Sequence, residues 1–176
     1  MMKRILCLIA AFLFVLPVAS AAYKDQINRD EHVLQSTDIA LGGLMVGTTR
    51  AQVEAIYGAP TARTEPKRSI ALDEMMDEYT YGTSFKVIFV KDTVMYLNTN
   101  AHNGIATPAG VTVGMDASIL QKIYGTGEVD PTKHKARRMP GYDYYTYWQA
   151  GDPLHYLTFA VKDGKIAYIK VGLMQR

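Results

Sequence analysis

The 176-residue sequence contains a single cysteine and no long apolar run beyond its first residues. Cys7 lies inside the N-terminal apolar segment, so we expect a mature chain without disulfides, zinc–thiolate sites or cysteine nucleophiles. Residues 22–176 offer no run of even 12 apolar residues, whereas a membrane-spanning helix needs about 20. The hydrophobic core alone must therefore stabilise the mature protein.

The first 21 residues have the pattern of a secretory signal. Lys3 and Arg4 precede an apolar run over residues 5–16, which Pro17 ends. Small residues at 19–21 suit a signal peptidase. The pattern predicts a signal peptide over 1–21, cleavage near Ala21–Ala22 and a periplasmic or extracellular protein. An uncleaved anchor is the alternative, which the short apolar run disfavours.

The charge of the mature chain is balanced. Removing Lys3 and Arg4 from the 19 basic residues leaves 17, against 17 acidic residues. A neutral chain has no electrostatic reason to wrap nucleic acid or coat an anionic membrane. We therefore expect no nucleic acid as a partner.

One short motif occurs twice without a gap, at residues 43–58 and again 67 positions later at 110–125. The residues of the first copy that recur unchanged are Gly43, Val46, Gly47, Ile56, Tyr57 and Gly58. An internal repeat of this kind indicates that one structural unit is used twice.

Each copy of the motif predicts a short amphipathic helix. Thr49 and Asp116 are good N-cap residues, and Gln52 completes a capping box with Thr49. Gly58 and Gly125 stand where glycine ends a helix. Apolar residues at helical spacing between these positions predict one buried face on each helix.

Strand-like segments follow each predicted helix, and turn residues separate them. We predict strands over residues 78–81, 85–90, 93–98, 143–149, 154–161 and 165–171, with charged loops over 63–69 and 130–140. The sequence therefore predicts an α+β fold of two tandem helix-plus-antiparallel-sheet units, with their sheets joined into one curved sheet and the helices on one face. The predicted boundaries are an N-terminal arm over 22–40, a first repeat over 41–104 and a second over 105–176.

The Val46-Gly47 to Gly58 motif, followed by Pro60 and an antiparallel sheet with a Lys-Asp-Gly-Lys hairpin, resembles the BamE (SmpA/OmlA) unit. A tandem pair of such units is similar to the β-lactamase-inhibitor-protein (BLIP-like) fold. The resemblance covers residues 41–172 and implies a concave sheet face that binds proteins. The sequence departs from both groups, since it has two units, no lipobox and no mature cysteine. Fold likeness alone does not transfer function.

The sequence contains no catalytic constellation. The four histidines are not spaced for joint metal ligation, and no serine lies in a Gly-x-Ser-x-Gly motif. An acidic run at 73–78 has no calcium-loop pattern, which favours a solvated edge over a cation site. We therefore expect no enzyme activity, no metal and no cofactor.

Aromatic residues in the predicted strands are the best binding candidates. The mature chain has twelve tyrosines, and six of them lie in the two short segments 79–81 and 142–147. The candidate binding residues are Tyr79, Tyr81, Tyr145, Tyr147 and Trp148. Their rings either pack the sheet against the helices or line a rigid contact surface, and both readings are open.

The sequence leaves three candidate functions. We expect an exported, non-catalytic binding module that uses the concave sheet face. The alternative is an inhibitor of a secreted hydrolase that inserts the loop over 130–140 into its target. An unrecognised enzyme, with acids and histidines assembled from distant positions, is the third.

Overall fold

The computed structural model describes residues 33–70, 72–126 and 140–174. The predicted signal peptide, most of the predicted arm and nearly all of the loop over 130–140 lie outside the described residues. Two α-helices are present in the described part, α1 at Arg50–Tyr57 and α2 at Ser118–Tyr124, together with a short 3-10 turn at Ser36–Asp38.

Strands make up most of the regular structure. In chain order they are β1 (Val33–Leu34), β2 (Ala40–Leu41), β3 (Leu44–Met45), β4 (Ala62–Arg63), β5 (Lys67–Ser69), β6 (Glu74–Tyr81), β7 (Phe85–Val90), β8 (Thr93–Thr99), β9 (Asp143–Gln149), β10 (Asp152–Lys162) and β11 (Lys165–Leu173). Nine of them form one sheet, in the order β1-β9-β10-β11-β8-β7-β6-β4, with β5 also paired to β6, while β2 and β3 form a separate pair.

The centre of the large sheet is the antiparallel pair of β8 and β11, where Ile169–Gly172 oppose Tyr96–Thr99 in reverse order. Each of these strands is the last of a three-stranded antiparallel run. Without this pairing, both would leave a row of unpaired backbone groups at a sheet edge. The pairing therefore joins the two runs into one sheet.

Each copy of the repeated motif docks on the first residues of a central strand. The N–H of Gly47 donates to the Val94 carbonyl over 2.8 Å, and the N–H of Gly114 donates to the Ile166 carbonyl over 2.7 Å. Gly58 and Gly125 end the helices with φ of 72° and 78° and extended ψ. Only glycine adopts this conformation readily, which explains the glycine at both positions.

The core is a single cluster on the helix-bearing face of the sheet. It includes Val53 of α1, Leu120 and Ile123 of α2, and strand residues such as Phe89 and Phe159 from both ends of the sheet. No described side-chain nitrogen or oxygen is buried without a hydrogen-bond partner. Both helices thus share one hydrophobic interior.

The predicted fold class is wrong. The described residues are mostly β, with 48% strand and 14% helix, and they are not built as two tandem helix-plus-sheet units. The physical reason is that strands, and not two separate helix-plus-sheet units, form most of the structure, since one nine-stranded sheet and both helices share a single core. The helices are only eight and seven residues long, so they cover a small part of that sheet.

Several local predictions are confirmed. Both helices end at the predicted glycines, and α1 has the predicted capping box. The six predicted strands are present, two with the predicted bounds and four with longer ones. The predicted charged loop over 63–69 is wrong, because it contains the end of β4 and all of β5. Neither helix in the described ranges is long and apolar enough to cross a bilayer.

Candidate functional site

Three of the five candidate binding residues lie in the core. Tyr79, Tyr81 and Tyr147 are 6%, 8% and 0% exposed. The hydroxyl of Tyr81 donates to the Gly58 carbonyl over 3.3 Å, and that of Tyr147 donates to the Gly125 carbonyl over 3.4 Å. Two of these tyrosines therefore tie a strand to the end of a helix, and none of the three offers a contact surface.

The other two candidates lie on opposite faces of β9. Tyr145 is half-buried and packs against the core, on the side of the helices. Trp148 lies on the face opposite the helices, which we call the outer face. Its ring is half-buried and meets the Tyr156 ring edge-on, with 5.7 Å between the centroids. Of the predicted set, Trp148 alone is thus placed for contact.

The strand register shows what accompanies Trp148 on the outer face. Alternate residues of each strand point away from core residues such as Leu97, Leu157 and Val171. One row of directly paired positions reads Trp148, Tyr156, Gly172, Tyr96, Ile88 and Glu78. The next row reads Thr146, Thr158, Lys170, Asn98, Lys86 and Thr80.

The aromatic row, as we call Trp148, Tyr156 and Tyr96, is continuous across four strands because of Gly172. A Cβ atom at Gly172 would lie 2.5 Å from Cδ1 of Tyr96 and 2.9 Å from the hydroxyl oxygen of Tyr156. The two tyrosine rings therefore occupy the space above this glycine. Any larger residue would push them apart and break the row.

The polar row, as we call Thr146, Thr158, Lys170, Asn98 and Lys86, runs beside the aromatic row. The hydroxyls of Thr146 and Thr158 are 3.0 Å apart and hydrogen-bonded. The Lys170 ammonium lies 4.5 Å from the Tyr96 ring centroid and 5.7 Å from that of Tyr156. Two aromatic faces therefore hold this cation in place beside the row.

A third group borders the polar row on its other side. Tyr144 and Tyr168 both pair with Ala160, which is fully buried beneath them. Desolvation raises the pKa of Tyr168 to about 12, and the charges of Tyr144 and Glu78 add to the effect. Tyr168 is a neutral hydroxyl at physiological pH, as an ordinary tyrosine is, and keeps its hydrogen-bond donor. The polar row thus lies between two sets of tyrosines.

Ion pairs account for the acidic run at 73–78. Its four carboxylates each pair with a different base, in the pairs Asp73–Arg68, Glu74–Lys91, Asp77–Arg50 and Glu78–Lys86, at 2.5–2.7 Å. They therefore point to separate bases and do not converge on one point. Within the described ranges, no group of three or more His, Asp or Glu side chains is arranged to hold a metal ion.

Sequence reasoning missed Tyr96, Tyr156 and Lys170. A usable signal was present in the period-2 pattern of each strand. In β10, Leu157, Phe159 and Val161 alternate as buried residues, which places Tyr156 on the other face. The tyrosines that cluster in the sequence include Tyr79, Tyr81 and Tyr147, which have the buried phase of their strands.

Comparisons with known proteins place the chain in no family. No family model matches it, and no curated protein matches it. A solved structure of a cysteine-rich secretory protein from Staphylococcus aureus is similar at 9% identity and a TM-score of 0.49, covering 81% of this chain and 50% of that one. The chain therefore spans half the length of that structure.

Proposed function

We propose that the chain is an exported, non-catalytic binding module that contacts a protein or another cell-envelope component through the outer face of its sheet. The observation that carries this proposal is the aromatic row, which lies on the face without helices. Trp and Tyr present large contact areas at low conformational-entropy cost, so they are enriched at binding hot spots. The apolar run and small residues before Ala22 support export.

The side chains of the outer face favour contact over chemistry. Lys86 is held by Glu78 at 2.7 Å, and the Lys170 ammonium is held over two rings. Both cations are therefore fixed in place, as a preformed recognition surface requires. The BamE-like and BLIP-like resemblance of the motif agrees with a binding role, as a likeness only.

The test uses residues 22–176 as bait in an extract of the cell envelope. A double variant, Trp148→Leu with Tyr156→Leu, removes two rings of the aromatic row but keeps apolar side chains there. We expect it to lose capture of the partner. Ile56→Ala is the matched control, because Ile56 is 60% exposed on helix α1, on the other side of the sheet.

Circular dichroism and thermal unfolding establish that each variant is folded before capture is compared. If the folded double variant captures the same component as the wild type, the outer face is not the binding surface. Export has its own measurement, which is the N-terminal sequence of the secreted protein. An exported protein whose sequence still begins at Met1 would contradict the prediction that the signal peptide is cleaved.

A further inference from the structure

We propose that Asn103 is a modification site, at which the side-chain amide is lost by spontaneous deamidation. We further propose that the hydroxyls of Ser84 and Thr99 keep this reaction slow in the folded chain. Asn103 lies between the end of strand β8 and the second copy of the repeated motif. Gly104 follows it, which makes this the only Asn-Gly pair in the 176-residue sequence. The inference does not depend on the binding function proposed above.

The reaction requires only the backbone and water. The backbone nitrogen of Gly104 attacks Cγ of Asn103 and forms a new N–C bond. The bond from Cγ to Nδ2 then breaks, and ammonia leaves with the proton of the Gly104 N–H. Water opens the resulting five-membered imide at one of its two carbonyls, which leaves aspartate or isoaspartate at position 103. Glycine favours the attack, because it has no Cβ to shield its nitrogen.

The structure leaves the attacking group accessible. Asn103 and Gly104 are both exposed, and a Cβ atom at Gly104 would meet no atom within 4 Å. The backbone N–H of Ile105 donates to Oδ1 of Asn103 over 3.1 Å. This is the hydrogen bond of an Asx turn, and it closes a ring that contains both Cγ of Asn103 and the Gly104 nitrogen. The two reacting atoms are therefore kept near each other.

Two buried hydroxyls hold the nitrogen that has to leave. Nδ2 of Asn103 donates to the hydroxyl oxygens of Ser84 and Thr99, each over 3.1 Å. The two hydroxyls are also hydrogen-bonded to each other, with 3.3 Å between their oxygens. Ser84 is 6% exposed and Thr99 is fully buried, next to the start of β7 and at the end of β8. The sheet therefore fixes the position of both acceptors.

These bonds oppose the reaction in the folded chain. Expulsion of Nδ2 requires the planar amide of Asn103 to rotate and to lose its planarity, which breaks the alignment of its N–H groups with the two hydroxyls. The energy of those bonds therefore adds to the barrier. Removal of one of the two acceptors should raise the rate about fivefold, the factor that corresponds to one neutral hydrogen bond.

The products cannot restore the original contacts. A carboxylate at position 103 has no N–H to donate to Ser84 or Thr99. Isoaspartate also lengthens the backbone by one carbon and displaces the N–H of Ile105, a residue that packs against the core. We therefore expect the modified chain to be less stable than the unmodified one.

One tryptic peptide reports the reaction together with two internal controls. Trypsin cleaves after Lys91 and Lys122, and the peptide between them contains Asn98, Asn100 and Asn103. The purified protein is incubated in mildly alkaline buffer, with and without denaturing urea. Fragmentation in the mass spectrometer then locates the mass gain that accompanies replacement of an amide by an acid. In urea we expect Asn103 to react faster than Asn98 and Asn100, and in the folded protein we expect Asn103 to react more slowly than in urea.

Two variants test the role of the hydroxyls. Ser84→Ala and Thr99→Val should each raise the rate at Asn103 about fivefold in the folded protein and leave the rate in urea unchanged. Thr146→Val is the matched control, because it removes a hydroxyl that bonds to Thr158 over 3.0 Å in the same sheet. It should leave the rate at Asn103 unchanged. Circular dichroism establishes that each variant is folded, and Ser84→Ala alone decides the outcome if Thr99→Val does not fold.

Three results would overturn the inference. If Asn103 reacts no faster than Asn98 in urea, it is not a modification site. Equal rates at Asn103 in the folded protein and in urea would show that the fold does not restrain the amide. A folded Ser84→Ala variant that reacts at the wild-type rate, or more slowly, would show that the hydroxyls do not oppose the loss of ammonia.

Discussion

Helices α1 and α2 carry the same motif but are attached to the sheet differently. Helix α2 buries Leu120, Ile123 and Tyr124, whereas α1 fully buries Val53 alone. The contrast is sharpest at the equivalent isoleucines, since Ile56 is 60% exposed and Ile123 is 7% exposed. Packing therefore holds α2 much more strongly than α1.

Polar contacts replace packing at the start of α1. Two nitrogens of Arg50 donate to the two oxygens of Asp77 over 2.7 and 2.8 Å, and a third donates to Asp92 over 2.7 Å. The guanidinium also lies over the rings of Tyr79 and Phe89, at 4.7 and 4.1 Å. This arrangement fixes the first turn of α1 on strands β6 and β7.

Helix α2 has alanine where α1 has Arg50, since Ala117 stands 67 positions later. The two residues still share one backbone contact. The N–H of Arg50 donates to the Asp92 carbonyl, and that of Ala117 donates to the Gly164 carbonyl, over 2.8 and 2.9 Å. The comparison teaches that one backbone motif is compatible with either an ionic or an apolar attachment.

Truncation of the equivalent isoleucines should separate the two attachments most clearly. Ile123→Ala removes buried methyl groups and should lower the free energy of unfolding by about 2–5 kcal/mol. Ile56→Ala changes a largely exposed side chain and should stay within about 0.5 kcal/mol of the wild type. Urea unfolding of the two variants measures both values, and equal losses would contradict the contrast.

Removal of the Arg50 guanidinium should have the next largest effect. Arg50→Met leaves the largely buried carboxylate of Asp77 without its hydrogen-bonded cation, which should cost about 1–3 kcal/mol. The bond to Asp77 is the main reason that the pKa of Arg50 is raised. Because arginine is a cation at pH 9 even without such a bond, the loss should be the same at pH 7 and at pH 9. The measurement is urea unfolding at pH 7 and pH 9.

The double variant Arg50→Met with Asp77→Leu provides the control. It removes both charges, so part of the lost stability should return. A double variant that is less stable than either single variant would show that the ring contacts of Arg50 dominate over its ion pair.

Local structure followed from the sequence better than the assembly of the sheet. Thr49, Gln52 and Gly58 act through neighbours within a few residues, so their roles were predictable from sequence spacing. The pairing of β8 with β11 joins residues about 70 positions apart through backbone groups, which have no sequence signature. The predicted fold class was wrong for another reason, since the two helices are too short to balance the sheet as tandem helix-plus-sheet units require.

The candidate site shows the same division. The presence of aromatic residues in the strands was predictable from their clustering in the sequence. The face of the sheet on which each ring lies depends on which alternate residues of the strand point into the core. Tyr147 and Trp148 are adjacent in sequence and lie on opposite faces, one in the core and one on the outer face. Tyr96 and Gly172 are neighbours because β8 and β11 pair in this register, which the sequence does not show.

Loss of the side-chain cap should affect α1 by about 1 kcal/mol. The Thr49 hydroxyl accepts a hydrogen bond from the backbone N–H of Gln52. The side-chain oxygen of Gln52 accepts one from the backbone N–H of Thr49 over 2.9 Å. Thr49→Ala removes the first of these bonds and should lower the free energy of unfolding by about 1 kcal/mol. Thr49→Ser keeps the hydroxyl and should stay close to the wild type in the same urea titration.

The smallest effect is expected at Asp116, which stands 67 positions after Thr49 but can titrate. The prediction of Asp116 as the N-cap is wrong, since the N-cap of α2 is Ala117, which makes no side-chain cap bond; Asp116 instead accepts the N–H of Ser118 over 3.0 Å. Bonds from the backbone and hydroxyl of Ser118, with Lys165 nearby, lower the pKa of this exposed carboxyl to about 2. Its ionised form therefore favours the folded state above pH 4, and that contribution is lost as the pH falls from about 4 to about 2. Asp116→Asn should make the urea midpoint depend less on pH between about pH 4 and about pH 2. Between pH 5 and pH 7, the urea midpoint of the variant should not change with pH any differently from that of the wild type.

The Thr49 cap has no titratable group. A pH-dependent difference in stability between the wild type and Asp116→Asn therefore arises at α2 and not at α1. An unchanged acid limb in Asp116→Asn would show that the Ser118 contacts do not stabilise the start of α2.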